Sequence, residues 1–423
     1  MNVHDSEKIA GIFSESGLQQ TDEPKEAGVV VLNTCNIREK AEHKFYSELG
    51  RLKILKKNNP DLKIAVAGCI AQQKGNKLFK QFPYVDFVFG PNNIDSIQAW
   101  IESSHDARRT AVLHDNPDYH HKLLPVKRAG QVRAWVSIMY GCNNFCAYCV
   151  VPYTRGRERS RPLDDIYNEV SLLADQGFKE VTLLGQNVNS YGKNLANSVD
   201  FPILLEKLHE IDGIKRIRFV TSHPKDLSER LINTMRDLPK LCEHLHLPIQ
   251  SGSDNILKLM NRGYTYAEYM NKILKMRNAL PDIAVTSDII TGFPGETEED
   301  FEMTIKVLSE IEYDGIFAFK YSKRPDTRAL ELPEHVDEPT KSRRLSRILK
   351  LQESITFNKN KPYEGKVVEI LVEGVSEADD TKVTGRTGTN KIVHYCGDKE
   401  DIGQLVKIKI SRAQQHSLFG EKV

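Results

Sequence analysis

The sequence predicts an α/β protein in three parts: an N-terminal α/β domain, a central partial (β/α)6 barrel and a small all-β barrel at the C-terminal end. Three observations carry that reading. Between residues 135 and 321 a unit of apolar run, turn and helical pattern recurs six times. Residues 1–100 show the same alternation on a smaller scale. After residue 361 the helical patterns stop and only short strand-like runs remain. A chain of 423 residues is also too long for one ordinary core.

In the first part, residues 29–32, 64–67 and 87–89 are predicted strands and 41–56 a helix, which gives a domain over 1–107. Residues 101–130 are rich in His, Asp and Arg with weak periodicity and are expected to form a linker. The core spans 128–358. Its predicted strands are 135–140, 181–184, 217–220, 244–249, 285–290 and 316–321. The helical stretches between them are 164–176, 202–211, 227–235, 266–279 and 298–311. Strands alternating with helices of this length make parallel βα units. In such folds the chemistry gathers at the carboxyl ends of the strands. Residues 341–350 predict a basic helix. The last domain, 361–423, holds strands at 367–373, 382–386, 392–395 and 405–410, with ten basic and ten acidic residues.

Composition is that of a globular protein, with 39% hydrophobic and 28% charged residues. No apolar run is long enough to cross a bilayer, and the N-terminus is polar. A cytoplasmic enzyme with no membrane partner is expected, as a monomer. The net charge of +1 gives no global argument for nucleic acid, so any such surface must be local. Basic stretches occur at 51–57, 155–161 and 341–350, and each reads equally well as a solvated face.

Seven cysteines in a reducing compartment point to metal or redox chemistry rather than disulfides. Cys142, Cys146 and Cys149 follow the first core strand with the spacing Cys-x3-Cys-x2-Cys. Three thiolates hold three irons of a cubane [4Fe-4S] cluster and leave the fourth iron open. S-adenosyl-L-methionine (SAM) suits that iron, since its amino and carboxylate groups chelate. Reduction then cleaves the sulfonium to a carbon radical, chemistry that belongs to the cofactor. Zinc is the competing ligand, but structural zinc takes four ligands as two spaced pairs, and no second such pair exists. Tyr148, between the last two thiols, is expected against the adenine of SAM. Cys242 and Cys396 lack such a setting and are expected to be small buried hydrophobes.

Residues 141–156 read Gly-Cys-Asn-Asn-Phe-Cys-Ala-Tyr-Cys-Val-Val-Pro-Tyr-Thr-Arg-Gly. This segment resembles the radical SAM methylthiotransferases, most closely their bacterial tRNA branch. The resemblance extends through 159–162, 184–191, 246–253 and 288–297, and so covers nearly the whole chain. The final domain resembles the TRAM module, an RNA-binding barrel, through Gly385-Arg386-Thr387 and Ser417-Leu418-Phe419-Gly420. Matched polar residues fall at predicted strand ends: Gln186 and Asn187, Ser222 and His223, Gln250 and Ser251. Asp288 lies in the fifth strand, and Gly292 to Glu296 follow it. Polar groups meeting at one rim suit a zwitterionic, ribose-bearing ligand, and Gln186, Asn187, Ser222, Gln250, Ser251 and Asp288 are expected SAM contacts.

The resemblance also implies a second, auxiliary [4Fe-4S] cluster that carries the transferred sulfur. Cys35 and Cys69, each after a strand of the first domain, match two of its ligands. The family's third cysteine comes from an N-terminal Gly-Cys-Gln-Met-Asn segment, whereas this chain starts Met1-Asn2-Val3-His4-Asp5 and matches from the Met onward. The first strand and its Cys are therefore expected to be missing through a start assigned to an internal Met. The alternatives are a short chain with an impaired auxiliary site, or a replacement ligand.

The implied activity is insertion of a methylthio group at carbon 2 of N6-isopentenyladenosine beside the tRNA anticodon. One SAM supplies the methyl group and a second the radical. No general base is demanded, so no catalytic side chain is assigned. The tRNA anticodon stem-loop is the implied partner, its unpaired bases open to splaying and stacking. An electron donor such as flavodoxin or ferredoxin is the other. Two alternatives stand: the same chemistry on threonylcarbamoyladenosine or a ribosomal protein, and a tRNA-binding protein whose second site is impaired.

Overall fold

The computed structural model describes residues 1–34, 39–103, 109–116, 119, 124–196, 198–377 and 379–423. In the first domain four parallel strands pair in chain order: Val29–Thr34, Lys63–Gly68, Phe87–Phe89 and Thr110–Val112. Alternation along Lys63–Gly68 sends Ile64 and Val66 to one face and Ala65 and Ala67 to the other. The first pair packs with Phe45, Leu49 and Leu52 of helix Glu39–Asn58. The second packs with Ile9 and Ile12 of helix Asn2–Glu15 and with Phe87, Phe89 and Trp100. The strand Thr110–Val112 lies inside the stretch expected to be a linker. Three residues are too few to show a period, which is why the sequence hides it.

The core contains the six expected parallel strands. Arg133–Ser137, Glu180–Leu184 and Arg216–Phe219 form one run, and His244–His246, Ala284–Thr291 and Gly315–Lys320 the next. A single parallel bridge, Ile217 to Leu241, joins the two runs. Helices Leu163–Asp175, Phe201–His209, Glu229–Asp237, Tyr266–Ala279 and Glu298–Ile311 cover the outside. The last four starts are capped by local side chains: Asp200, Ser228, Thr265 and Thr297 each accept a backbone N–H of the first turn. One small feature was not expected. After the first strand, Met139–Tyr140 pairs antiparallel with Arg159–Ser160, so the chain between them is tied at both ends.

The C-terminal domain is a closed five-stranded barrel of Val367–Ser376, Asp379–Thr387, Ile392–Tyr395, Leu418–Lys422 and Leu405–Ala413, in that spatial order. Ile370, Val372, Val383, Val393, Ile408 and Leu418 fill it. The fifth strand, Leu418–Lys422, was expected only as a motif. Cys242 is buried as expected, but Cys396 is exposed. Tyr395 points into the barrel, so its neighbour on an alternating strand points out.

This barrel sits against the amino ends of the core strands. Arg218 donates to the carbonyls of Thr387 (2.6 Å) and Gly388 (3.0 Å) while its Nε holds Glu180 (3.0 Å). Arg216 reaches the carbonyl of Arg386, and Lys391 pairs with Asp314 at 2.8 Å. The strand end Gly385-Arg386-Thr387 thus serves docking. The basic helix, Glu338–Asn360, is also turned inward. Arg344 is buried and holds Glu296 (2.7 Å) and Glu298 (3.0 Å). Arg343 takes Glu298, Arg347 takes Glu302, and Lys341 takes Glu338. Acidic residues at the start of Glu298–Ile311 pair with it, so the helix offers less free charge than its basic sequence suggests.

Candidate functional site

The three clustered cysteines occupy the loop held by the short antiparallel pair. Gly141 starts it with φ 71°, and a Cβ there would lie 2.0 Å from the carbonyl oxygen of Arg157. Only glycine permits that approach. The amide of Cys142 donates to the carbonyl of Gly156 at 3.2 Å, and that of Cys149 to Cys146 at 2.9 Å. Ala147 donates to Met260, and Ala329 donates back to Ala147 (2.9 and 2.8 Å). Asn261 donates to the carbonyls of Asn144 and Phe145 (3.3 and 3.0 Å). The loop is therefore built by the chain itself.

Cys142 and Cys146 are buried and Cys149 half-buried. Burial pushes the Cys142 thiol up and the Cys149 thiol up to about 12, with the neighbouring Cys146 adding to both. Among the described residues no three His, Cys, Asp or Glu side chains draw together as one bound ion would require. Three thiols on one loop suit a [4Fe-4S] cluster, in which each would hold a separate iron. Their protons would leave on metal binding.

Around this loop the strand ends carry polar atoms without partners. Gln186 Oε1, Asn187 Oδ1, Ser222 Oγ, His223 Nε2 and Gln250 Oε1 are all buried and unbonded among the described residues. Buried polar groups are almost always satisfied, so five gathered at one rim mark a place for a polar ligand. His223 Nδ1 accepts from the Lys225 amide at 3.2 Å, which leaves the proton on Nε2. Burial, then the nearby Arg262 and lysines, hold this imidazole neutral, down to about 2. Gln250 and Thr221 adopt φ of 75° and 69°, a strained region for residues with side chains. The donor set fits a [4Fe-4S] cluster at the thiols with a zwitterionic ligand beside it.

The remaining expected residues divide. Asn187 also donates to Asp226 at 2.7 Å, which fixes its free oxygen. Tyr148 OH accepts from Arg262 at 3.3 Å, and its ring meets Phe293 edge-on. Ser251 is buried against Thr304 Oγ1 (3.4 Å) on helix Glu298–Ile311, so its hydroxyl serves packing. The Asp288 carboxylate lies 3.5 Å from His246 Nε2, midway along its strand. Cys35 lies outside the described residues. Cys69 is buried at the start of helix Cys69–Lys74. The Arg155 guanidinium bonds Asp5 at 2.7 Å, and the attraction of Asp5 and of the nearby Cys69 outweighs its burial. Unpartnered polar atoms gather here too, on Asp5, Asn33, Asn92 and Arg155.

One residue escaped the sequence reading. Arg262 is buried, with Nη1 3.2 Å from Cys146 Sγ, Nη2 on the carbonyl of Pro248 (2.8 Å) and Nε on Tyr264 OH (2.9 Å). No carboxylate balances it among these partners, so its charge faces the thiol. Its only sequence signal is an arginine followed by Gly263 between two helical patterns.

Models of known families match all three parts: the uncharacterized protein family UPF0004 over 1–90, the radical SAM superfamily over 136–308 and the TRAM domain over 361–423. Solved structures share the fold at low identity. The radical S-adenosylmethionine methyltransferase TsrM from Kitasatospora setae superposes with a TM-score of 0.57 at 14% identity, over 78% of this chain and 72% of that one. The cobalamin-dependent S-adenosylmethionine radical enzyme OxsB does so with 0.54 at 11%, over 83% and 53%. Whole-chain relatives are far more similar. The tRNA-2-methylthio-N(6)-dimethylallyladenosine synthase of Thermodesulfovibrio yellowstonii is 56% identical over 100% of this chain and 96% of its own length. Its namesake in Syntrophus aciditrophicus is 50% identical over 100% and 92%. With relatives this similar from end to end, the chain belongs to the tRNA-2-methylthio-N(6)-dimethylallyladenosine synthase family, within the radical SAM superfamily.

Proposed function

We propose that this chain adds a methylthio group to carbon 2 of N6-isopentenyladenosine beside the anticodon of tRNA, with SAM as methyl donor and radical source. The observation that carries it is the pre-built loop of Cys142, Cys146 and Cys149 ringed by five unpartnered buried polar atoms. Cys142, Cys146 and Cys149 would hold the SAM-binding [4Fe-4S] cluster. When bound, cluster and SAM together supply an electron and a carbon radical. The protein's own work is positional. Gln186, Asn187, Ser222 and Gln250 offer oxygens to the ligand, and His223 offers one N–H that stays neutral across physiological pH. Tyr148, held by Arg262, closes one wall. The positive Arg262 beside Cys146 would favour the reduced, more negative form of a cluster held there.

Cys35 and Cys69 belong to the auxiliary cluster in this reading, supported by the buried polar setting of Cys69 and Arg155. A small electron-transfer protein such as flavodoxin or ferredoxin supplies the electron. No helix among the described residues is long and apolar enough to cross a membrane. A cytoplasmic monomer acting on the anticodon stem-loop completes the proposal. The test is nucleoside analysis of tRNA treated anaerobically with the reconstituted protein, SAM and a reductant. The methylthio nucleoside should form with the native chain and not after Cys142→Ala, Cys146→Ala and Cys149→Ala together. Unmodified isopentenyladenosine together with no cleavage of SAM by the native chain, or stoichiometric zinc without labile sulfide, would overturn the reading.

A further inference from the structure

Three side chains on the outer side of the thiol loop have no place in the chemistry above. Tyr153 is 49% exposed although it follows Cys149 by four residues. Phe145, beside Cys146, meets the Tyr153 ring edge-on with centroids 6.0 Å apart. The guanidinium of Arg157 lies over the Phe145 ring at 4.4 Å and has no ion pair among the described residues. The backbone of Phe145 is itself strained, at φ 46°, and Asn261 holds it there through two carbonyls. A bulky residue kept in that region by dedicated hydrogen bonds points to a use for its position.

The carboxylates at the same edge, Glu158 and Asp226, are taken up by Ser190 and Lys193, which leaves two cations there without an ion pair among the described residues. Lys225 is exposed, donates to Asn144 of the loop at 2.7 Å and likewise has no ion pair among the described residues. It follows Ser222 and His223 by three and two residues, so its bond to Asn144 ties the loop of the aromatic pair to the segment that carries two of the unpartnered rim atoms. An exposed phenol, a ring capped by a guanidinium and an unpaired ammonium form the kit with which proteins bind single-stranded nucleic acid. Bases stack on the rings, and cations take the phosphates.

We propose that Phe145, Tyr153 and Arg157 form a stacking platform for the unpaired base adjoining the adenosine that enters the cluster pocket. This rests on the tRNA reading above and extends it to a second nucleotide. With one base seated on Tyr153, its neighbour is held at the strand-end rim, and the strained loop keeps platform and thiols in fixed register.

The experiment uses reconstituted full-length protein and an anticodon stem-loop RNA bearing N6-isopentenyladenosine, with 2-aminopurine at each adjoining position in turn. Native protein should quench the fluorescence at one of the two positions. Tyr153→Ala, with iron and sulfide content equal to native, should weaken RNA binding about tenfold and lose that quenching. Tyr153→Phe, which keeps the ring, should restore both. Native affinity and quenching in Tyr153→Ala would overturn the platform while leaving the functional reading intact. Displacement of the RNA by an acidic peptide would mark the face as a protein-docking surface and also overturn it. Failure of the native chain to bind the stem-loop would overturn the functional reading, and the platform with it.

Discussion

Arg262 illustrates how one side chain sets the tone of a metal site. A buried guanidinium is held by hydrogen bonds to two carbonyl-type or phenol partners and a thiol, with no carboxylate to cancel it. A positive charge beside a cluster ligand stabilises the reduced, more negative cluster and so raises its potential. Arg262→Gln should therefore load the SAM-site cluster but shift its midpoint potential downward, whereas Arg262→Lys should lie between. A spectroscopic redox titration decides it, and an unchanged potential would assign Arg262 to packing alone. The cysteines were readable in the sequence because their spacing is local. Gln186, Asn187, Ser222 and Gln250 were readable because each ends a predicted strand. Arg262 was not, since its partners Cys146 and Pro248 are brought to it only by the closed curve of the sheet.

Among the elements, those with self-contained signals were read most closely. Tyr266–Ala279 and Glu298–Ile311 begin at capping boxes, Thr265 with Glu268 and Thr297 with Asp300, and their starts and ends match the pattern to the residue. The two-residue strands Met139–Tyr140 and Arg159–Ser160 have no period to detect, yet they frame the thiol loop. The helix Glu338–Asn360 was misread for a different reason. Its basic residues are visible in sequence, but Glu296, Glu298 and Glu302, which neutralise them, sit on another element. Arg344→Ala should accordingly cost stability, by about 3 kcal/mol, because it strands the buried Glu296. Denaturant titration should show that loss while the salt dependence of RNA binding stays unchanged. A flattened salt dependence with native stability would return this helix to the RNA surface.

At the scale of the whole molecule, the two smaller domains sit at different places on the core. The C-terminal barrel closes the amino ends of the core strands through Arg216, Arg218 and Lys391. The first domain meets the chain on both sides of the thiols, where Lys8 bonds Tyr140 before them and Arg155 bonds Asp5 after them (both 2.7 Å). The carboxyl ends, with their unpartnered rim atoms, are left for ligand. That division was only partly readable, because sequence pattern shows which units exist but not which side chains clasp between them. Arg218→Ser removes the clasp and leaves Glu180, fully buried, without its partner. Calorimetry should then show barrel and core melting in separate transitions where the native chain melts them together. A single transition at the native temperature would mean that Arg216, Lys391 and the remaining contacts join them without Arg218.

The frame around the thiol loop carries one more consequence. Gly141, the strand pair Met139–Tyr140 with Arg159–Ser160, and the amide bonds of Cys142 and Cys149 close on one another without calling on any metal. Loading iron and sulfide therefore orders little chain and buries little fresh apolar surface. Its thermodynamic signature is a small heat-capacity change, unlike that of a zinc finger, which folds around its ion. Stripping iron and sulfide should therefore leave the far-ultraviolet circular dichroism unchanged, and a loss of helical signal on stripping would mean that the loop needs its cluster to fold.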